Sequence, residues 1–164
     1  MMVLLDVRDL LEKPGAARRV TLEERFDQLG TELARGEEPV RLEITLASVI
    51  EGVEVRGPLS GRIAYRCARC LKPFGEEFRV EVRELFAPGA SDEADEYPVT
   101  EGHIDLEPMV RDAMVLGMPF SPLCRPDCLG LCERCGGDRN LGECTCGPDV
   151  DSRWEILNEL ELDD

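Results

Sequence analysis

A single histidine, one tryptophan, two tyrosines and five phenylalanines are all that this 164-residue chain offers in ring side chains. With one imidazole, no Ser/His/Asp relay has a spare histidine, and a core built from this set must be mostly aliphatic. No P-loop and no G-x-G-x-x-G is present, so the backbone cradles that bind nucleotide phosphates are missing. No apolar run approaches membrane-spanning length. The start, Met1-Met2-Val3-Leu4-Leu5-Asp6, has neither a basic n-region nor a full apolar h-region, so no signal peptide is expected. Basic residues are scarce as well, 19 against 35 acids, for a formal charge of −16. Nucleic-acid binders neutralise phosphates with a basic face, so this balance favours cationic partners unless the fold assembles a local basic patch.

The negative charge is concentrated. Residues 84–107 hold eight acids and no Lys or Arg, and residues 147–164 hold seven acids against Arg153 alone. Each stretch reads either as a solubilising segment or as a docking surface for a basic protein.

What the chain has instead is cysteine, eight residues in four close pairs. Six run as Cys124-x3-Cys128-x3-Cys132-x2-Cys135-x8-Cys144-x-Cys146, and Cys67-x2-Cys70 lies far upstream. A chain expected in the reducing cytoplasm uses such pairs for metal more often than for disulfides. Cys132-Glu133-Arg134-Cys135-Gly136 has the form of a zinc knuckle, with Gly136 free to take positive φ, and Cys144-Thr145-Cys146 returns a second pair to the same ion. Cys67, Cys70, Cys124 and Cys128 then form the other site, although Cys128 and Cys132 could instead share an ion with other pairs. Two zinc ions are expected, and two four-thiolate sites would deepen the charge to about −20. A redox dithiol normally opens a helix, but Leu71-Lys72-Pro73-Phe74-Gly75 after Cys70 is poor helix sequence. His103 reads as a surface turn residue.

Hydrophobic periodicity supplies the elements. Thr21-Leu22-Glu23-Glu24 fits a capping box, and Leu22, Phe26, Leu29 and Leu33 predict a helix over 21–35. From residue 40 the period becomes two: Val40, Leu42, Ile44 and Leu46, then Val53 and Val55, Ile63 and Tyr65, and Phe78, Val80 and Val82. Turn signals at Glu51-Gly52, Gly57-Pro58, Ser60-Gly61 and Pro73-Phe74-Gly75 separate these runs, which predicts an antiparallel meander with one wet face. Residues 87–102 read as an acidic loop. Asp105 caps a helix over 105–117 with Leu106, Met109, Val110, Ala113 and Met114 on one face, and Ser152-x-x-Glu155 opens a short helix containing Trp154, Leu157 and Leu160. The expected fold is α+β: a β-rich domain, 1–123, followed by a zinc-ribbon-like module, 124–164.

Two cysteine segments also carry a family resemblance. Tyr65-Arg66-Cys67-Ala68-Arg69-Cys70-Leu71 resembles the C-x-RCL signature of the YceD family, the large ribosomal RNA subunit accumulation proteins. Cys124 to Gly136 resembles its C-x3-C-x-GLC-x2-CG segment, and Asp138 to Cys146 its asparagine-leucine and C-x-C ending. Helix Ile104 to Met118-Pro119 matches too, so the likeness runs from about residue 40 to the C-terminus. Some members keep the Cys67/Cys70 and Cys124/Cys128 equivalents without the other four, which implies separable sites divided as above. The resemblance implies a non-enzymatic role in accumulation of large-subunit (23S) ribosomal RNA, hence in ribosome biogenesis. The expected partner is a basic ribosomal or assembly protein, with no membrane and no small-molecule substrate. The alternative is an RNA-binding regulator that touches rRNA through Arg62, Arg66, Arg69 and Lys72 around the first knuckle; a thiol redox enzyme is a third.

Overall fold

The computed structural model describes residues 2–26, 30–31, 33–36, 39–90 and 96–147. It is mostly strand. In chain order the elements are β1 (Leu4–Asp6), α1 (Arg8–Leu11), β2 (Ala17–Glu24), β3 (Gly30–Thr31), β4 (Ala34–Gly36), β5 (Val40–Val49), β6 (Gly52–Arg66), β7 (Pro73–Pro88), β8 (Tyr97–Thr100), β9 (His103–Asp105) and α2 (Leu106–Gly117). A short 3-10 turn, Arg139–Leu141, follows in the cysteine-rich segment. None of the described helices is long and apolar enough to cross a membrane.

The alternating runs after residue 40 become β5, β6 and β7, and these pair antiparallel. The sheet is more branched than a meander, however. One edge of β6 is shared, with β5 along Gly52–Ser60 and β4 along Ile63–Tyr65. β7 pairs with β8 in parallel through Phe86–Pro88, and β9 and β1 continue the sheet antiparallel. Side chains at period two divide the faces: in β5, Val40, Leu42, Ile44 and Leu46 are buried while Arg41 and Glu43 are exposed. The core these strands share with α1 and α2 is aliphatic and methionine-rich, with Phe86 and Tyr65 its buried aromatics, as the ring-poor composition requires.

The helix expected over 21–35 does not form among the described residues. Thr21–Glu24 ends β2, which pairs with β5 from Ala17↔Ala47 to Glu24↔Val40. The physical reason is the backbone of β5. Its free edge carries unpaired N–H and C=O groups that β2 satisfies and a helix could not. Arg18, Val20, Leu22 and Glu24 alternate with the exposed Arg19, Thr21 and Glu23, a period of two that the capping-box pattern masked. The acidic loop expected over 87–102 also contains structure, since Tyr97–Thr100 is β8. Tyr97 stacks on Phe86 with ring centroids 5.1 Å apart, so an apolar anchor holds an otherwise acidic stretch on the sheet.

The second helix agrees with expectation. The Asp105 carboxylate accepts from Glu107 N (3.0 Å) and also from Val3 N (3.1 Å), capping α2 and fastening the N-terminal segment. Leu106, Met109, Val110 and Met114 form its buried side. His103 follows the tight turn Glu101-Gly102, both residues at positive φ, which joins β8 to β9. The Ser152–Glu155 capping box and the acidic residues from Asp149 onward lie outside the described residues. Where ribbon strands were expected, the described cysteine-rich segment holds one isolated bridge, Leu131↔Asp138, and the 3-10 turn.

Candidate metal centres

All eight cysteines are free thiols, and they gather into two sets of four. Cys67, Cys70, Cys124 and Cys128 form one set, and Cys132, Cys135, Cys144 and Cys146 the other; within each, the sulfurs lie within 4.8 Å of one another. This grouping is the one in which Cys128 and Cys132, four residues apart, face different centres.

Two knuckles of the same design build the sets. Cys67 follows the last residue of β6, and Cys67–Lys72 is the connection to β7. In it Leu71 N donates to Cys67 O and Cys67 N donates to Lys72 O, both at 2.9 Å. In the second knuckle Gly136 N donates to Cys132 O (2.8 Å) and Cys132 N to Gly137 O (2.9 Å). Both turns need a left-handed residue four positions after the first cysteine. Gly136 takes φ 71° there, as expected from its lack of Cβ, but in the first knuckle Leu71 takes φ 60°.

Cys124 and Cys128 arrive from the segment after α2, with Cys128 N bonded to Arg125 O and Ala68 N to Pro122 O. Cys67, Cys70 and Cys128 are buried together beside Phe74 and Leu123. The sulfurs of Cys67 and Cys128 are 3.8 Å apart and those of Cys70 and Cys124 3.7 Å. A disulfide would need about 2 Å. Four sulfurs each about 2.3 Å from one ion stand about 3.8 Å apart along a tetrahedron's edges, so the set fits a tetrahedral metal.

The proton equilibria point the same way. Burial raises the Cys67 thiol, but backbone N–H groups of Cys124, Cys70 and Arg69 outweigh it and bring it down to about 6. Backbone N–H groups of Cys135 and Arg134 bring Cys132 down to about 6. Burial and the neighbouring Cys70 sulfur push Cys124 up to about 12, and the sulfurs of Cys135 and Cys144 push Cys146 up to about 12. Each set therefore holds one thiol that ionises readily beside two that resist it, Cys70 and Cys124 in the first and Cys144 and Cys146 in the second, because adjacent thiolates repel unless a cation sits between them.

The basic residues around the first knuckle are partly committed. Arg69 Nη1 donates to Cys128 O at 2.8 Å, and Lys72 Nζ lies 2.7 Å from the buried Asp138 carboxylate. Lys72 and then Asn140 hold the Asp138 carboxyl down at about 2. Sequence reasoning noted the segment of Asp138 and Asn140 only as a signature and missed their contacts, Asp138 with Lys72 and Asn140 with Cys128. His103 is remote in role, its Nδ1 3.0 Å from Glu101 O.

A family model described as large ribosomal RNA subunit accumulation protein YceD matches residues 55–161. An uncharacterized protein of Mycobacterium tuberculosis is 40% identical over 125 residues, 73% of this chain and 60% of that one. An uncharacterized protein of Mycobacterium leprae is 34% identical over 169 residues, 96% of this chain and 77% of the relative. A maize protein named as a chloroplastic YCED homolog 1, large ribosomal RNA subunit accumulation protein, is 36% identical over 53 residues, 32% of this chain and 18% of its own. The chain thus spans about 60% of the length of the M. tuberculosis relative. No solved structure matches it.

Proposed function

The chain belongs to the YceD family, and from that premise we propose that it supports accumulation of large-subunit ribosomal RNA in the cytoplasm, as a zinc-stapled binding protein rather than an enzyme. The observation that carries this reading is the arrangement of the eight thiols. Two sets of four sulfurs supply complete tetrahedral donor sets, and zinc is the ion such sets favour. A four-thiolate zinc has no open position for water, so the centres serve shape rather than hydrolysis.

The partner we propose is a basic ribosomal or assembly protein. The outer face of the sheet supports this, because four of its arginines are paired with its own glutamates: Arg41 with Glu43 (2.5 Å), Arg56 (3.7 Å) and Arg83 (2.7 Å) with Glu54, and Arg79 with Glu81 (3.6 Å). A phosphate backbone would have to displace these carboxylates. Of the four basic residues in the RNA-binding alternative, Arg69 and Lys72 are held by Cys128 O and Asp138. Acids meet instead where α2 packs beside β7, with Asp112 close to Glu84 and accepting from the Tyr97 hydroxyl (2.8 Å). Burial and then Asp112 raise the Glu84 carboxyl, so a partner's cation would be welcome there.

Deleting the gene and measuring mature large-subunit rRNA and ribosome profiles tests the proposal. The expected result is a fall in both, restored by the wild-type chain. Unchanged rRNA and profiles would reject it. Tight, salt-sensitive binding of the purified protein to naked RNA would move the partner from protein to nucleic acid.

A further inference from the structure

The loop that joins the two halves of the second cysteine set carries a residue that faces the first set. Asn140 lies in that loop, between Cys135 and Cys144. Its Nδ2 donates to Cys128 Sγ at 3.6 Å and to Asp138 Oδ1 at 2.7 Å. Its Oδ1 accepts from Leu129 N at 2.9 Å and from Arg125 Nη2 at 2.7 Å. Both donors and both acceptor lone pairs of the carboxamide are thus used, and the opposite amide orientation would set N–H groups against N–H groups.

The rest of the loop follows the same path. Asp138, which also accepts from Asn140 N (2.9 Å), reaches Lys72, two residues past Cys70. Leu131 N donates to Arg69 O inside the first knuckle, and Arg139 N donates to Gly130 O, both at 3.0 Å. Gly130 sits at φ 74°, and a Cβ there would stand 3.0 Å from Arg69 O, so this close docking requires glycine.

We propose that the Cys135–Cys144 loop is the outer sphere of the first centre, and that through Asn140, as its positioning residue, the two centres bind metal with positive cooperativity. The inference rests on reading both sets as metal centres. An N–H donor to a coordinating sulfur offsets the excess negative charge of a four-thiolate site and fixes that sulfur's direction. The donor is in place only when the loop is closed, and a metal on Cys132, Cys135, Cys144 and Cys146 would close it. Linkage is reciprocal, so loading the first centre must favour the second by the same factor.

The test is a titration of the reduced, metal-free full chain with Co2+, read by sulfur-to-cobalt charge-transfer absorption and by competition with a chelator. Far-UV circular dichroism reports the sheet in every variant. The wild type should bind two equivalents; fewer overturns both the two-centre reading and this proposal. Cys144→Ser/Cys146→Ser should keep one equivalent, with the first centre weakened about 10- to 100-fold. Asn140→Asp keeps both accepted hydrogen bonds and loses the two donated by Nδ2, so two equivalents should bind with the first centre about tenfold weaker or more. In a Cys67→Ser/Cys70→Ser background, Asn140→Asp should leave the second centre's affinity unchanged. Equal weakening of the second centre in both backgrounds would show that Asn140 merely shapes its own loop. Two equivalents with a first centre indifferent to Asn140→Asp and to Cys144→Ser/Cys146→Ser would overturn the coupling alone.

Discussion

Removing the first centre should destabilise the whole fold, whereas removing the second should act mainly on the C-terminal segment. The first set closes the chain between Cys70 and Cys124, 54 residues apart in sequence. Treated as a cross-link on the unfolded chain, a loop of that length contributes about 4 kcal/mol at 25 °C. The second closes only the short loop from Cys135 to Cys144, for which the same relation gives about 2.7 kcal/mol. That smaller term falls on a segment that contains no strand among its described residues, whereas Cys67 and Cys70 sit in the connection between β6 and β7. The assay is urea unfolding followed by far-UV circular dichroism, at excess zinc and under reducing conditions. Cys67→Ser/Cys70→Ser should lower the unfolding free energy of the sheet by about 4 kcal/mol. Cys144→Ser/Cys146→Ser should cost it no more than a 10- to 100-fold weaker first centre transmits, about 1.4 to 2.7 kcal/mol. Equal losses from the two variants, or a larger loss from the second, would refute the view that only the first centre staples the sheet.

Three smaller perturbations follow from single positions. Asp105→Ala removes the acceptor for Glu107 N and Val3 N and should cost about 1–2 kcal/mol by thermal unfolding, while Asp105→Asn should retain most of that. Leu71 is half exposed in a left-handed turn, so Leu71→Gly should be neutral or stabilising, whereas Gly136→Leu should lose about 1–2 kcal/mol; a melting-temperature comparison of the two variants checks this. Glu84, raised by burial and by Asp112, is disfavoured as a carboxylate in the folded state, so it contributes stability at low pH that is lost as pH rises through its folded pKa. Glu84→Gln should therefore stabilise the protein at pH 7, and the gain should vanish in melts run below the ordinary glutamate range; a gain constant with pH would contradict the assignment.

Local signals were legible in the sequence wherever they agreed with the final contacts. Asp105 followed by Leu106, Met109, Val110 and Met114 specified α2 because cap and apolar stripe both reflect one helix. The strict alternation of Val40 to Leu46 specified β5 for the same reason. Residues 21–24 failed because a capping box and a period of two coexist there. The arbiter was the unpaired edge of β5, a partner that local pattern cannot see. Tyr97–Thr100 was hidden among acids, and its anchor, Phe86, lies eleven positions upstream.

At the cysteines, the two groups of four that could hold metal were legible because the pairs announce themselves by spacing. What surrounds the donors was not, because an outer hydrogen bond has no spacing rule. Asn140 stands twelve residues from Cys128 and Asp138 sixty-six from Lys72, and only the folded loop brings each to its partner. This sets a condition on related chains. A relative that keeps the four cysteines of the first set but lacks the second has lost the closure that presents Asn140 to Cys128. Such a chain must supply the N–H donor from another segment or hold its single metal more weakly. Grafting Cys132, Cys135, Cys144 and Cys146 with the intervening loop onto it should then strengthen its own first centre, and an unchanged affinity would break the argument that the second set acts on the first.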